Sequence, residues 1–155
     1  MGTRHHFKLL FILIGITTSF SCSEDDLRDF NVIKYGTSFG MCEGYCVTSI
    51  TIQENSMLYE QSSLNDDVTY PSTECPSNFP QFDDLRSKID PDIFYDFPAT
   101  IGSPDCADGG AEWVELQSTK TSHRVTFELG KAPDEFISYI ELLRFYVQRM
   151  EAVCP

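Results

Sequence analysis

Trp113-Val-Glu-Leu-Gln117 and His123-Arg-Val-Thr-Phe-Glu-Leu129, joined by a polar turn, decide the fold. In the second run Val125, Phe127 and Leu129 alternate strictly with Arg124, Thr126 and Glu128. Side chains along a strand point to opposite faces in turn, so this pattern builds a sheet with one face in a core and one in water. The two runs read as an antiparallel hairpin.

The chain before it repeats the theme. Phe30-Asn-Val-Ile-Lys-Tyr35 reads as a first strand, ended by Gly36 and Gly40. Cys46-Val-Thr-Ser-Ile-Thr-Ile52 is β-branched, with Thr48, Ile50 and Ile52 on one face. Glu54-Asn55 turns it back into Met57-Leu-Tyr-Glu-Gln61, a second hairpin. Ser62 to Asn78 has no period and reads as a surface loop.

Helical spacing occurs twice. Pro80 suits a helix start, and Phe82, Leu85 and Ile89 make one stripe that ends at Asp90-Pro91. Ile93 to Gly102 is apolar but broken, and reads as irregular structure or a short helical turn. Pro133-Asp-Glu135 opens the clearest helix, with Phe136, Ile140, Leu143, Val147 and Met150 as its stripe and Tyr139 and Tyr146 beside it. Ser138, Glu141, Arg144 and Gln148 fall on the opposite, wet face. Strands joined by hairpins, with helices between, predict an α+β domain. The expected architecture is one antiparallel sheet of about five strands (two hairpins) with two helices packed on one face.

Composition narrows the class. Hydrophobic residues make up 41% of the chain, with 12 Phe, enough to form a core. The formal net charge is −13. Residues 1–21 hold Arg4 and Lys8 and no acid, so without them nine cations face 24 acids, a charge of −15. Such a surface repels phosphates, and nucleic acid is not an expected partner.

The first residues have the layout of an export signal: Arg4 and Lys8, the eight-residue apolar run Leu9–Ile16, then a small-residue zone ending Ser19-Phe20-Ser21-Cys22. The run is shorter than the about 20 residues that span a bilayer. Ser19-Phe-Ser-Cys22-Ser-Glu-Asp-Asp26 resembles the start of Bacteroidota-type surface lipoproteins of uncharacterised function. That resemblance implies cleavage before Cys22, lipid on its thiol and an acidic tag that directs export to the outer cell surface. The chain departs from the common lipobox at Ser19, where an aliphatic residue is usual, and at Phe20, where a small one is. Ordinary cleavage after Ser21, giving a secreted protein, is the alternative. The expected organisation is therefore a signal peptide over 1–21, an acidic tether over 22–29 and a single globular domain over 30–155. Membrane attachment follows from the lipid, with an outer-membrane protein facing the surface or the periplasm.

Three motifs carry possible chemistry. Met41-Cys42-Glu43-Gly44-Tyr45-Cys46 has Cys-x₃-Cys spacing rather than the Cys-x₂-Cys of redox or zinc sites. An exported chain meets oxidising conditions, so Cys42, Cys46, Cys75, Cys106 and Cys154 are disulfide candidates. With Cys22 lipidated, five thiols leave at least one unpaired. Cys42 and Cys46 are near enough to bridge each other, Cys154 is placed to pin the last helix, and Cys75 is the expected free thiol. Asp105, Asp108 and Glu112 beside Gly109-Gly110 are a candidate calcium site, although EF-hand spacing is absent and a plain turn explains the glycines. Phe39, Met41, Glu43 and Tyr45 form a candidate binding loop. His123 is the only imidazole left after the signal is removed, and it reads as a surface or turn residue rather than a general base. No cofactor is expected beyond that calcium. The expected function is a non-catalytic, lipid-anchored envelope protein that binds an extracellular protein or glycan. The alternatives are an inhibitor presenting a rigid disulfide-braced loop, or a hydrolase using carboxylates or calcium.

Overall fold

The computed structural model describes residues 28–64, 73–74 and 82–153. In chain order these residues form strands β1 (Val32–Ser38), β2 (Val47–Gln53), β3 (Ser56–Ser62) and β4 (Thr73–Glu74). Helices α1 (Phe82–Arg86) and α2 (Pro91–Asp96) follow, then strands β5 (Thr100–Ile101), β6 (Ala111–Gln117) and β7 (Ser122–Glu128), and helix α3 (Ile137–Val153). The strands lie side by side in the order β4-β3-β2-β1-β6-β7-β5.

The α+β class and both hairpins are present, and five seven-residue strands, β3-β2-β1-β6-β7, are antiparallel neighbours. The expectation of a five-stranded, purely antiparallel sheet needs correction. Two short strands extend its edges, and β5 runs parallel to β7, which makes the sheet mixed. The cause is the connection out of α2. After Pro98 the chain turns along the free edge of β7, where Thr126 N–H donates to the Ala99 carbonyl at 3.0 Å. β4 falls inside the segment read as loop, whose other residues from 65 on lie outside the described residues, as do 1–27, Cys75, Pro80 and Cys154.

Register explains the core. One row across the sheet reads Tyr59, Ile50, Tyr35, Val114, Val125, and the next reads Met57, Ile52, Ile33, Leu116, His123. All but His123 are buried, and they join Phe82, Leu85, Ile89, Phe94, Phe136 and the α3 stripe in one continuous cluster. Because a one-residue slip would turn every side chain over, this alternation locks the pairing.

β1 does not stop at Gly36; it continues to Ser38 as the central strand. Glycine is required there by a close approach rather than by a turn. A Cβ at Gly36 would lie 2.5 Å from the Trp113 ring and 2.8 Å from the Thr48 carbonyl. The indole thus lies against the backbone of β1, on the face away from the core. The Arg124 guanidinium stacks over the same indole, 4.0 Å from the ring centre, and also pairs with Glu115 at 2.7 Å. Six consecutive residues of β6, Ala111 to Leu116, are consequently buried although the strand has a nominally wet face.

The helices follow their sequence signals. Phe82 and Leu85 in α1 and Ile89 just after it are buried, as their stripe requires. Asp90 and Pro91 do more than end that helix. The Asp90 carboxylate accepts the N–H groups of Asp92 and Ile93, and Pro91 sits in the first turn, so together they start α2. In α3, Ile140, Leu143 and Met150 are fully buried, each worth about 1.5–3 kcal/mol of burial. Arg144 corrects the reading of its wet face. One turn on from Ile140 it sits at the edge of the stripe, and its guanidinium reaches the sheet.

Candidate functional site

Glu112 is where Arg144 goes. It occupies the β6 position that faces the core beside Thr37 and Phe127, and it is fully buried. Arg144 donates to its carboxylate through Nε at 2.7 Å and Nη2 at 2.6 Å. The Tyr35 hydroxyl donates at 2.5 Å and the Gly130 N–H at 3.1 Å. Both carboxylate oxygens are satisfied, so the charge is accommodated where it would otherwise be very costly. The Glu112 carboxylate holds the Arg144 guanidinium above its ordinary pKa, while burial, then the Glu112 contact, pushes the Tyr35 hydroxyl up. This network ties α3 to the central strands and to the turn after β7. It is structural in geometry.

That placement separates Glu112 from its expected companions. Asp105 and Asp108 are exposed on the turn before β6, a 3₁₀ segment in which Asp105, Ala107 and Asp108 all have positive φ. Short polar side chains tolerate that region, whereas Ala107 has no such help. Among the described residues no group of three or more His, Cys, Asp or Glu side chains converges as a metal site would. Cys106 is a free thiol among the described residues, and it is exposed, whereas the expected free thiol, Cys75, lies outside them. It borders an open cleft of about 400 Å³ together with Ser103, Glu128 and Lys131. There the Glu128 carboxylate accepts from Lys131 Nζ and from the Ser103 N–H, which together hold it below the usual carboxylate range. His123 has a structural role: its Nε2 lies 3.0 Å from the Phe97 carbonyl, and the rings of Phe94 and Tyr95 flank it.

The remaining motif is built differently. Cys42 and Cys46 form a disulfide, with Cα atoms 5.6 Å apart. The Phe39 N–H donates to the Cys46 carbonyl at 3.0 Å, and the Cys46 N–H donates to the Ser62 carbonyl at 2.9 Å. The β1–β2 connection is thereby closed at its base twice, covalently and by the ladder. Gly44, at φ +90°, supplies the left-handed bend that closes it. The bracing leaves Phe39, Met41 and Tyr45 exposed, Met41 at 78%. Residue 64, also exposed, follows β3 at the same end of the sheet, because Val47 pairs with Ser62.

The two sequence motifs, 59 positions apart along the chain at their nearest ends, meet here. Ser38 pairs with Ala111, which brings the braced loop beside the Asp105–Gly110 turn. A Cβ on Gly110 would stand 3.0 Å from the Phe39 ring, so that turn packs against the base of the loop. Sequence spacing gave no sign of this meeting; only the central position of β1 produces it. Lys131, Glu128 and Leu64 were missed as neighbours of the site for the same reason. The chain matches no protein-family model and no curated protein. No helix among the described residues is long and apolar enough to cross a membrane.

Proposed function

We propose that this chain is a non-catalytic cell-envelope protein, anchored by lipid on Cys22, that binds an extracellular protein or glycan through the disulfide-braced end of its sheet. One observation carries the binding reading: three large apolar side chains, Phe39, Met41 and Tyr45, stand exposed on a loop rigidified by a disulfide. Isolated exposed apolar residues are ordinary, but a cluster held rigid at one end of a domain loses little conformational freedom when it docks. The same feature supports an inhibitor-like second reading, in which the loop enters the cleft of an enzyme. The anchor rests on the Cys22 sequence and its resemblance alone.

Arrays of glycans and of folded proteins test the binding reading when probed with the wild type and with Met41→Ser/Tyr45→Ser. Specific binding that the double substitution abolishes is the expected result. Binding that survives both that change and Cys42→Ser/Cys46→Ser would place the interface elsewhere. Mass spectrometry of membrane-extracted protein tests the anchor. A mature N-terminus carrying unmodified Cys22 overturns it.

A further inference from the structure

The charges around the braced end point to a more specific partner. Glu43 is exposed on the loop between Met41 and Tyr45, and Asp105 and Asp108 are exposed on the turn packed beside it. The lysine near this end, Lys131, is held by Glu128. Phe39, Met41 and Tyr45 therefore share this end of the sheet with three exposed carboxylates, with no compensating cation on either the Phe39–Cys46 loop or the Ser103–Gly110 turn. We infer that the partner is a protein that receives these apolar side chains in a pocket ringed by lysine or arginine. The inference rests on the reading of the braced end given above and adds the chemistry of what it meets.

Two further observations favour a protein over a glycan. The most exposed of the side chains is Met41, a flexible thioether with no flat face for a sugar ring, and a common choice on surfaces that pack into apolar protein grooves. The loop, Phe39-Gly-Met-Cys-Glu-Gly-Tyr-Cys46, also lacks the Asn, Gln and Arg side chains that would donate to sugar hydroxyls. Carboxylates on the rim contribute mainly to encounter rate and orientation, while the apolar centre sets dissociation. The two contributions are separable. Rim charges are screened by salt over about 8–10 Å at moderate ionic strength, whereas apolar burial is not.

The experiment is selection of a random linear peptide library on the full-length protein immobilised by its N-terminus. The selected peptides are then measured against two variants whose melting matches the wild type. Enriched peptides are expected to combine Lys or Arg with large apolar residues. Their affinity should fall about tenfold or more with Met41→Ser, as for a central contact. It should lose most of its salt dependence with Glu43→Gln/Asp105→Asn/Asp108→Asn. Neutral or acidic peptides that still require Met41 would overturn the basic-partner inference and leave the braced end as the binding surface. Peptides indifferent to both variants, or no enrichment at all, would overturn both.

Discussion

Replacing Glu112 by alanine removes the acceptor that Arg144, Tyr35 and Gly130 share. The carboxylate is 0% exposed and the Arg144 side chain 30% exposed, so the arginine regains some water when its partner goes. Breaking a buried pair costs about 3–5 kcal/mol, and the partial exposure of Arg144 places Glu112→Ala towards the lower end, about 3 kcal/mol. A stranded Tyr35 hydroxyl adds to the penalty, because an unsatisfied buried donor costs about 1–3 kcal/mol. Against a total stability of about 5–15 kcal/mol this is a large fraction. Replacing both partners, as in Glu112→Leu/Arg144→Met, exchanges the pair for apolar contact. The double variant should therefore be less destabilised than the sum of the single ones by about 1–3 kcal/mol. Urea unfolding followed by the fluorescence of Trp113, the next residue on β6 and the chain's single tryptophan, measures Glu112→Ala and the cycle made by Glu112→Leu, Arg144→Met and their double variant. A loss below about 1 kcal/mol for Glu112→Ala, or strict additivity in the cycle, would refute the coupling of helix to sheet through this carboxylate.

Other substitutions test the packing directly. Leu143→Ala, at a fully buried position in α3, should cost about 2–5 kcal/mol, while Gln148→Ala on the exposed face should stay within about 0.5 kcal/mol; equal losses in urea titrations would mean the helix faces another way. Gly36→Ala pushes a methyl into the Trp113 ring and the Thr48 carbonyl, so it should destabilise by about 1–3 kcal/mol and shift Trp113 emission; a neutral result would contradict that close approach. Burial raises the hydroxyl pKa values of Tyr35 and Tyr139, and burial with Glu151 nearby pushes Tyr59 up to about 12. The unfolded chain ionises these groups near 10, so their contribution is intact below that pH and lost as pH rises through the folded values. Phenolate absorbance and circular dichroism should accordingly change together for these residues at high pH. Titration of all the tyrosines near 10 with intact ellipticity would be the contrary outcome.

Local pattern was enough to determine the class of this protein and most of its elements. The alternation through Val125 and Phe127 and the spacing of Ile140, Leu143 and Met150 each encode a buried face within a single element, and neighbours in sequence suffice to reveal it. The Cys42–Cys46 bridge was legible for the same reason, since four residues bring the two within reach. What only the tertiary structure decided are relations between distant segments. No periodicity announces that β1 lies between β2 and β6, that Gly36 is small because an indole 77 residues later lies on it, or that Arg144 turns inward from its helix to a carboxylate on β6. Glu112 shows why: a Glu beside Asp105 and Asp108 in sequence has the composition of a cation ligand, yet the strand pleat turns it to the core, where a helical arginine meets it. Charge type is written in the residue, but its partner is chosen by which faces the sheet brings together.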